Sequence, residues 1–260
     1  MDAENSVQGT YAQNADAYGQ FIATPLGTLE QQLFDLSITD CGGLKVLDLG
    51  GGTGLRARDA LKAGARSVDV VDISREMMAI GQEYEKSINC DRITWYHGDV
   101  SKPLDDLLQK PPQDLGPYDM VIANGIFDHA HNAEELETMW YNSAAYLKPG
   151  GRLIANRNNP LSTAATTGGK YGVRFTDFRD FPGGFSYRYR TTTTDPLLVF
   201  ESIALDVYYS GSLEIPRKFF TDFQNVPWED TPVVKADPEF WKEYLSDPIL
   251  YIFTARKREE

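Results

Sequence analysis

The sequence predicts an α/β fold in which a mostly parallel β-sheet is covered by helices on both faces. Three observations lead to this fold class. Short apolar runs alternate with segments of helical length, the first run ends in a glycine-rich turn, and acidic residues stand at the ends of successive runs. Alternation of this kind indicates a parallel sheet with right-handed crossovers. The carboxyl ends of its strands then meet at one edge, where the acids fall.

The chain begins with a predicted helical segment that precedes the first strand. Apolar positions recur at roughly helical spacing within residues 1–40. Five strand-like runs follow, and segments of helical length separate them. The predicted strands are Lys45–Leu49, Ser67–Ile73, Ile93–His97, Met120–Asn124 and Arg152–Asn156.

The pattern changes after Asn156. Residues 157–211 are rich in Gly, Thr, Tyr and Arg, and Leu197–Tyr209 is more typical of a strand than of a helix. A segment of this length without an assigned structural role predicts a functional insertion, which we interpret as a cap over the active site.

The C-terminal part is predicted to return to the core sheet. The patterns favour a helix at Leu213–Phe223, a strand at Val226–Val234, a short helix at Pro238–Leu245 and a strand at Ile249–Lys257. We therefore divide the chain into an N-terminal helical lid segment (1–43), a core (44–156), a cap insertion (157–211) and the C-terminal part of the core sheet (212–260).

Composition excludes several classes of partner. The net charge is −13, and the short basic end Arg256–Arg258 is too small to offset it, so a nucleic-acid partner is not expected. The sequence has no apolar stretch of membrane-spanning length. Cys41 and Cys90 are too few for a disulfide framework and lack metal-ligand spacing. We expect a soluble cytoplasmic protein, a monomer or homodimer, with no membrane partner and no metal.

The most specific motif is the turn in Val46–Gly54, VLDLGGGTG, where Asp48 precedes glycines at alternate positions. Glycines between a strand and a helix let the backbone approach a nucleotide closely, and an acid about 20 residues on can bind both ribose hydroxyls. Asp72 stands at that distance, at the end of the second apolar run. The glycines follow the spacing GxGxG, which differs from the GxGxxG fingerprint of dinucleotide-binding proteins.

This form of the turn resembles motif I of class I S-adenosylmethionine-dependent methyltransferases, and four further features agree in order. They are Asp72 in VDVVDIS, Asp99 in HGDV, the fourth strand YDMVIAN and the segment LKPGGRL at Leu147–Leu153. The resemblance covers about residues 44–156 and implies a Rossmann-like fold. In that fold, a seven-stranded, mostly parallel sheet carries an antiparallel closing strand, and here a cap insertion is added.

The resemblance implies S-adenosylmethionine as cofactor and a role for each matching residue. Asp48 orients the turn and the ammonium of the methionine part, Asp72 binds the ribose, Asp99 reads the adenine amino group, and Met77 packs on the adenine. Asp72 and Asp99 have helix capping as an alternative role, with Ser74 competing for the cap after Asp72. The full predicted cofactor set is Tyr11, Tyr18, Asp48, Gly50, Gly52, Gly54, Asp72, Ile73, Met77, Asp99, Val100 and Asn124.

Tyr11 and Tyr18 lie in GTYAQNADAYGQF, which resembles the lead helix of many small-molecule methyltransferases. In those enzymes the tyrosines close over the cofactor. A spacing of seven residues puts both on one helical face. Plain core aromatics are the alternative.

His129 and His131 follow the fourth strand. A group with a pKa near neutral can deprotonate a hydroxyl before methyl transfer, so we predict His129 as the catalytic base, which Asp128 could orient. A pocket-lining histidine without catalytic duty is the alternative. The HxH pattern lacks a third and fourth metal ligand.

Arg157, Tyr187, Tyr189 and Trp228 are the candidate substrate-binding residues. Aromatic and arginine side chains suit a flat, polar acceptor, including an anionic one. Together with the resemblance, this implies methyl transfer to oxygen, nitrogen or carbon of a small molecule in natural-product metabolism. The alternatives are a related enzyme that uses the cofactor for a non-methylating step such as a cyclisation, or a non-catalytic cofactor-binding protein.

Overall fold

The computed structural model of the chain describes residues 20–104 and 117–259. It contains ten strands in these ranges. They are β1 (Lys45–Leu49), β2 (Ser67–Asp72), β3 (Ile93–His97), β4 (Tyr118–Ala123), β5 (Leu147–Asn158), β6 (Val173–Phe181), β7 (Gly184–Thr191), β8 (Val199–Leu205), β9 (Phe220–Asn225) and β10 (Leu250–Lys257).

The helices of the described ranges alternate with these strands through the first half of the chain. They are α1 (Pro25–Ser37), α2 (Leu55–Lys62), α3 (Arg75–Ser87), α4 (Ala133–Ala145), α5 (Thr163–Thr166), α6 (Asp206–Tyr209), α7 (Pro232–Ala236) and α8 (Pro238–Ser246). Three short 3₁₀ turns stand at Phe127–His129, Pro216–Lys218 and Trp228–Asp230.

A seven-stranded sheet has the order β3-β2-β1-β4-β5-β10-β9. The pairs from β3 through β5 are parallel, whereas β10 runs antiparallel to both of its neighbours, β5 and β9. This confirms the predicted α/β class with an antiparallel closing strand. The strand order reverses between β1 and β4, so a crevice opens outside the carboxyl ends of these two strands.

The core lies on both faces of this sheet because side chains alternate along each buried strand. Val46 of β1 packs in the cluster that includes Leu29 and Leu33 of α1. Leu47, the next residue, packs in the opposite cluster with Trp140 of α4. β1 is thus apolar on both sides, as expected for a parallel strand between two helical layers.

The insertion after β5 forms its own antiparallel sheet of order β6-β7-β8. Its aromatic side chains touch one another. The ring centroids of Phe175 and Tyr187 are 5.1 Å apart, those of Phe175 and Tyr189 are 5.2 Å apart, and Tyr189 stacks on Phe200 at 4.6 Å. The domain boundaries at residues 43, 156 and 211 stay a prediction.

Two predicted C-terminal elements are wrong. The helix predicted at Leu213–Phe223 is a 3₁₀ turn followed by β9, because residues from Phe220 onward pair with β10. The strand predicted at Val226–Val234 is a 3₁₀ turn followed by α7. Proline lacks the N–H that a strand needs, and Pro232 stands at the first position of α7, where that N–H is not required.

Among the helices of residues 20–104 and 117–259, none has both the length and the apolar character to cross a bilayer.

Candidate active site

A cavity of about 980 Å³ lies at the carboxyl ends of β1, β2, β4 and β5. Side chains of α1 and of the three-stranded sheet also line it. On one side are the glycine turn and the predicted cofactor acids, and on the other are the 3₁₀ turn Phe127–His129 and the aromatic residues of β6–β8. The same cavity is thus lined by predicted cofactor residues and by two of the predicted substrate residues, Tyr187 and Tyr189.

The glycine turn brings backbone to the cavity wall. Gly50 and Gly52 have φ angles of 68° and 53°, which L side chains rarely adopt. A Cβ on Gly50 would lie 2.2 Å from Ile126 Cγ2, whereas one on Gly52 would meet its nearest neighbour, Met77 Cε, at 3.6 Å. Gly50 is therefore needed for close packing, and Gly52 keeps the wall open. Gly54 is the N-cap residue of α2, packs next to Trp95 and does not line the cavity.

Asp72 holds this turn and also faces the cavity. One carboxylate oxygen accepts a hydrogen bond from Gly52 N at 2.7 Å, and the other accepts one from Ser74 N at 2.7 Å. Burial raises the pKa of Asp72, although these two N–H groups oppose the shift. Ser74, not Asp72, caps α3 through Met77 N. Capping by Asp72 is thereby excluded, and each oxygen can still accept a further bond from a ligand.

Asp48 presents a buried carboxylate oxygen, Oδ2, that has no hydrogen-bond partner in the described structure. Burial raises the pKa of Asp48 to about 7, against the opposing effect of Arg56. A buried polar atom without a partner is costly, so its position on a cavity wall points to a ligand. Oδ1 of Asn124, at the end of β4, is likewise buried and lacks a partner in the described ranges.

The remaining predicted cofactor residues of the described ranges, Ile73, Met77, Asp99 and Val100, all line the cavity. One oxygen of Asp99 accepts hydrogen bonds from Ser101 N at 2.9 Å and Ser101 Oγ at 2.7 Å. Asp99 therefore shapes its own loop and also faces the cavity. Tyr11 and Tyr18 lie outside the described residues, so their role stays a prediction.

A charged network on α1 was missed by the sequence analysis. Glu30 Oε1 accepts hydrogen bonds from Arg56 Nη2 and from Asn124 Nδ2, each at 2.9 Å. Arg56 also donates to Gln31 Oε1 at 2.7 Å. All four side chains line the cavity. Glu30 therefore ties α1 to the ends of α2 and β4 beside Asp48.

The 3₁₀ turn after β4 places Asp128 and His129 on the cavity wall. The predicted pairing of Asp128 with a histidine is not formed with His131 and stays a prediction for His129. Asp128 Oδ2 accepts a hydrogen bond from Asn158 Nδ2 at 2.7 Å, and His131 Nδ1 lies 3.1 Å from Glu135 Oε2. Burial lowers the pKa of His129 to about 4 and raises that of Asp128 to about 7. His129 is therefore neutral at physiological pH.

Of the four predicted substrate residues, Tyr187 and Tyr189 line the cavity, whereas Arg157 and Trp228 do not. The Arg157 guanidinium stacks 4.2 Å from the Tyr251 ring and donates to the Tyr209 carbonyl. Trp228 Nε1 donates to the Leu250 carbonyl at 2.8 Å. Both side chains are occupied by structural contacts, so the geometry does not support a substrate role for them.

Within the described ranges, His, Cys, Asp and Glu side chains form no group of three or more able to hold a metal ion.

Comparison with known families agrees with this geometry. Residues 46–151 match the family model of a methyltransferase domain. The chain carries a methyltransferase domain. It is a methyltransferase with a Rossmann-like fold, and its cofactor is S-adenosylmethionine. No curated protein is significantly similar to the chain in sequence.

Several solved structures share the fold. The CcbJ methyltransferase from Streptomyces caelestis is 15% identical with a TM-score of 0.64, covering 99% of this chain and 100% of that one. N-methyltransferase NodS from Bradyrhizobium japonicum, solved with S-adenosylhomocysteine, is 12% identical with a TM-score of 0.58, covering 99% and 100%. The [4+2]-cyclase SpnF is 15% identical with a TM-score of 0.59, covering 98% and 96%. At such identities the likeness concerns the fold alone.

The residues of the methyltransferase cavity fit S-adenosylmethionine. The unpartnered Asp48 Oδ2 suits an ammonium, which would donate to it and remove the cost of its burial. The Asp72 carboxylate has acceptor capacity left for vicinal hydroxyls, and Met77 offers an apolar surface next to Gly52. The donor and acceptor chemistry of this wall therefore agrees with the cofactor.

Proposed function

We propose that this methyltransferase transfers a methyl group to a small molecule of natural-product metabolism, bound between the 3₁₀ turn at Phe127–His129 and the sheet β6–β8. The observation that carries the proposal is the single cavity that connects the cofactor residues with the aromatic side chains of the insertion. Its volume of about 980 Å³ falls in the range of small-molecule sites. The cytoplasmic location and the monomeric or dimeric state remain predictions from the sequence.

Bound S-adenosylmethionine supplies an electrophilic methyl, so that a lone pair of the acceptor forms the new bond while the electron pair of the broken carbon–sulfur bond stays on sulfur. The chain itself must hold and align the reactants, because proximity and orientation account for most of the rate in such a transfer. In the proposal, Asp48 and Asp72 hold one side, while Tyr187 and Tyr189 pack on the acceptor and exclude water.

Where the acceptor must lose a proton, Asp128 is the better placed base and His129 the second candidate. Both line the cavity. An efficient base has a pKa near the working pH, which holds for Asp128 at about 7. His129, with a pKa of about 4, is available as a neutral imidazole but attracts a proton weakly. In the proposal, Asp128, which the sequence analysis expected only to orient a histidine, is therefore preferred to His129 as the base.

Two alternatives share the same cofactor residues. One is a non-methylating reaction such as a cyclisation, and the other is cofactor binding without catalysis. The open space beside the aromatic sheet supports an enzyme that holds an acceptor. Fold likeness does not separate methyl transfer from cyclisation, because the structures that share this fold include both a methyltransferase and a cyclase.

Product stoichiometry tests the proposal. The protein is incubated with methyl-labelled S-adenosylmethionine and a small-molecule extract of the source cells, and both products are followed by mass spectrometry. We expect one S-adenosylhomocysteine for each labelled molecule formed. Conversion of an acceptor without S-adenosylhomocysteine would instead indicate a non-methylating enzyme. Cofactor binding with no conversion at all would favour the non-catalytic alternative.

A further inference from the structure

The acceptor side of the cavity carries one charged group on an otherwise neutral wall. We define the acceptor wall as Asp128, Asn158, Phe175, Tyr187, Tyr189, Phe200 and Ser202, all of which line the cavity. Asp128 is the single ionisable acid or base among them apart from the tyrosines. Its Oδ2 is fixed by the Asn158 amide at 2.7 Å. The carboxylate is thus held in place from the β5 side.

A row of contacting aromatic rings begins near the Asp128 carboxylate. Asp128 is near enough to Tyr187 for its charge, together with burial, to raise the pKa of that phenol. Tyr187 contacts Phe175, which contacts Tyr189, and Tyr189 stacks on Phe200. A desolvated carboxylate beside π-faces is the arrangement that attracts an organic cation, because both the carboxylate and the ring faces are negative.

No arginine or lysine side chain belongs to this wall, although the charge of Arg157 lies near enough to lower the pKa of Asp128 against the effect of burial. Arg157 belongs to the same strand as Asn156 and Asn158, which line the cavity, but it projects to the opposite side onto Tyr251. Adjacent His129 is neutral at physiological pH. The lining cations Arg56 and Arg58 are paired with Glu30 at 2.9 Å and Glu85 at 3.2 Å.

Among the described residues that line the cavity as a whole, acids also outnumber bases. Its lining includes the six carboxylates Glu30, Asp48, Asp72, Asp99, Asp128 and Glu135 against the three cations Arg56, Arg58 and Lys102. An anionic acceptor would meet repulsion here. The sequence-based suggestion of an anionic acceptor drew on a cluster of aromatic residues and arginine, and Arg157, the arginine of that cluster, does not line the cavity.

We propose that the acceptor is an amine, bound as its ammonium form between Asp128 and the aromatic rings of the acceptor wall. This inference rests on the proposed methyl transfer and names its substrate class. A nitrogen can be methylated only after it has lost a proton. Asp128 accepts that proton and becomes a carboxylic acid, while the electron pair of the broken N–H bond remains on nitrogen.

A matched set of probes tests the charge preference. Tryptamine, tryptophol and indole-3-acetate share an indole ring and carry a cationic, a neutral and an anionic side chain. Each is titrated by calorimetry into protein saturated with S-adenosylhomocysteine at pH 7.5. We expect tryptamine to bind at least about tenfold more tightly than tryptophol, and indole-3-acetate to bind most weakly.

Two variants assign the preference to one side chain. Asp128→Asn keeps the shape and should lower the tryptamine affinity about tenfold while changing the tryptophol affinity less than about twofold. Asp91→Asn, which removes an exposed carboxylate on the loop before β3, should change neither. S-adenosylhomocysteine binding by each variant reports that it is folded.

Equal affinities for the three probes, tighter binding of the alcohol or the carboxylate, or no measurable binding of tryptamine would overturn the inference. These results come from wild-type protein and hold even if Asp128→Asn fails to fold. Failure of the proposed function gives a different result, because the protein would then fail to convert any acceptor with release of S-adenosylhomocysteine, whatever its preference among the probes.

Discussion

Replacing Asp128 with asparagine is expected to lower turnover about 10²–10⁴-fold while leaving the affinity for S-adenosylhomocysteine nearly unchanged. The carboxylate faces the acceptor wall, is positioned by Asn158, and has a pKa of about 7 because it is buried. Asparagine has similar shape but cannot take a proton. In wild-type protein kcat/KM should fall as the pH is lowered through about 7, since protonation removes the base. Steady-state kinetics across pH 5–9 measures both effects.

His129→Gln is the matched comparison for this variant. His129 stands next to Asp128 in the same turn, but burial lowers its pKa to about 4. We therefore expect a smaller loss of turnover than for Asp128→Asn. A reversed order, with the larger loss at His129 and a kcat/KM that stays level down to pH 5, would restore His129 as the base that the sequence predicted.

Replacing Asp72 with alanine is expected to weaken S-adenosylhomocysteine binding about 10–100-fold. The side chain would lose its charge-assisted hydrogen bonds to the two ribose hydroxyls, together worth roughly 1.5–3 kcal/mol, as well as its two bonds to Gly52 N and Ser74 N. Calorimetry measures the affinity for S-adenosylhomocysteine. The thermal unfolding temperature of the apoprotein measures how much stability is lost with the bonds to Gly52 N and Ser74 N.

Asp72→Asn separates the two roles of this side chain. Asparagine keeps one carbonyl oxygen that can accept from a backbone N–H, so it should unfold at a temperature closer to wild type than the alanine variant. Its affinity should still fall, because the charge is lost. Normal binding by the alanine variant, or unfolding of both variants, would mean that Asp72 serves the turn alone.

The cofactor side could be predicted because its signals are local in sequence. The turn that includes Gly50 and Gly52 follows directly after β1, and Asp72 ends the next strand. Parallel strands bring their carboxyl ends to one edge, so the acids meet there without any knowledge of side-chain contacts. The predicted strand Lys45–Leu49 agrees with β1 for the same reason, since its residues are buried on both faces.

Contacts between distant residues could not be predicted in this way. Glu30 and Arg56 are 26 positions apart, and Glu30 and Asn124 are 94 apart. In the sequence Glu30 is a polar residue within an amphipathic helix. Its contact with the cavity depends on how α1 packs against the sheet, which apolar periodicity does not specify.

Arg157 shows an error that strand geometry could have prevented. Successive side chains of a strand point to opposite sides, so Asn156 and Asn158 cannot share a wall with Arg157. The sequence analysis ended this strand at Asn156 and treated Arg157 as part of the insertion, whereas β5 extends to Asn158. Extending the predicted strand by two residues would have separated the asparagines from the arginine.

The titration of S-adenosylhomocysteine into wild-type protein at pH 6 and pH 8 tests the account most directly. At pH 8 we expect a dissociation constant in the micromolar range, equivalent to about −8 kcal/mol. At pH 6 binding should be about tenfold weaker, because Asp48, with a pKa of about 7, must lose a proton before it can pair with the ligand ammonium. Binding of NAD with no heat from S-adenosylhomocysteine at either pH would contradict the assignment of this cavity.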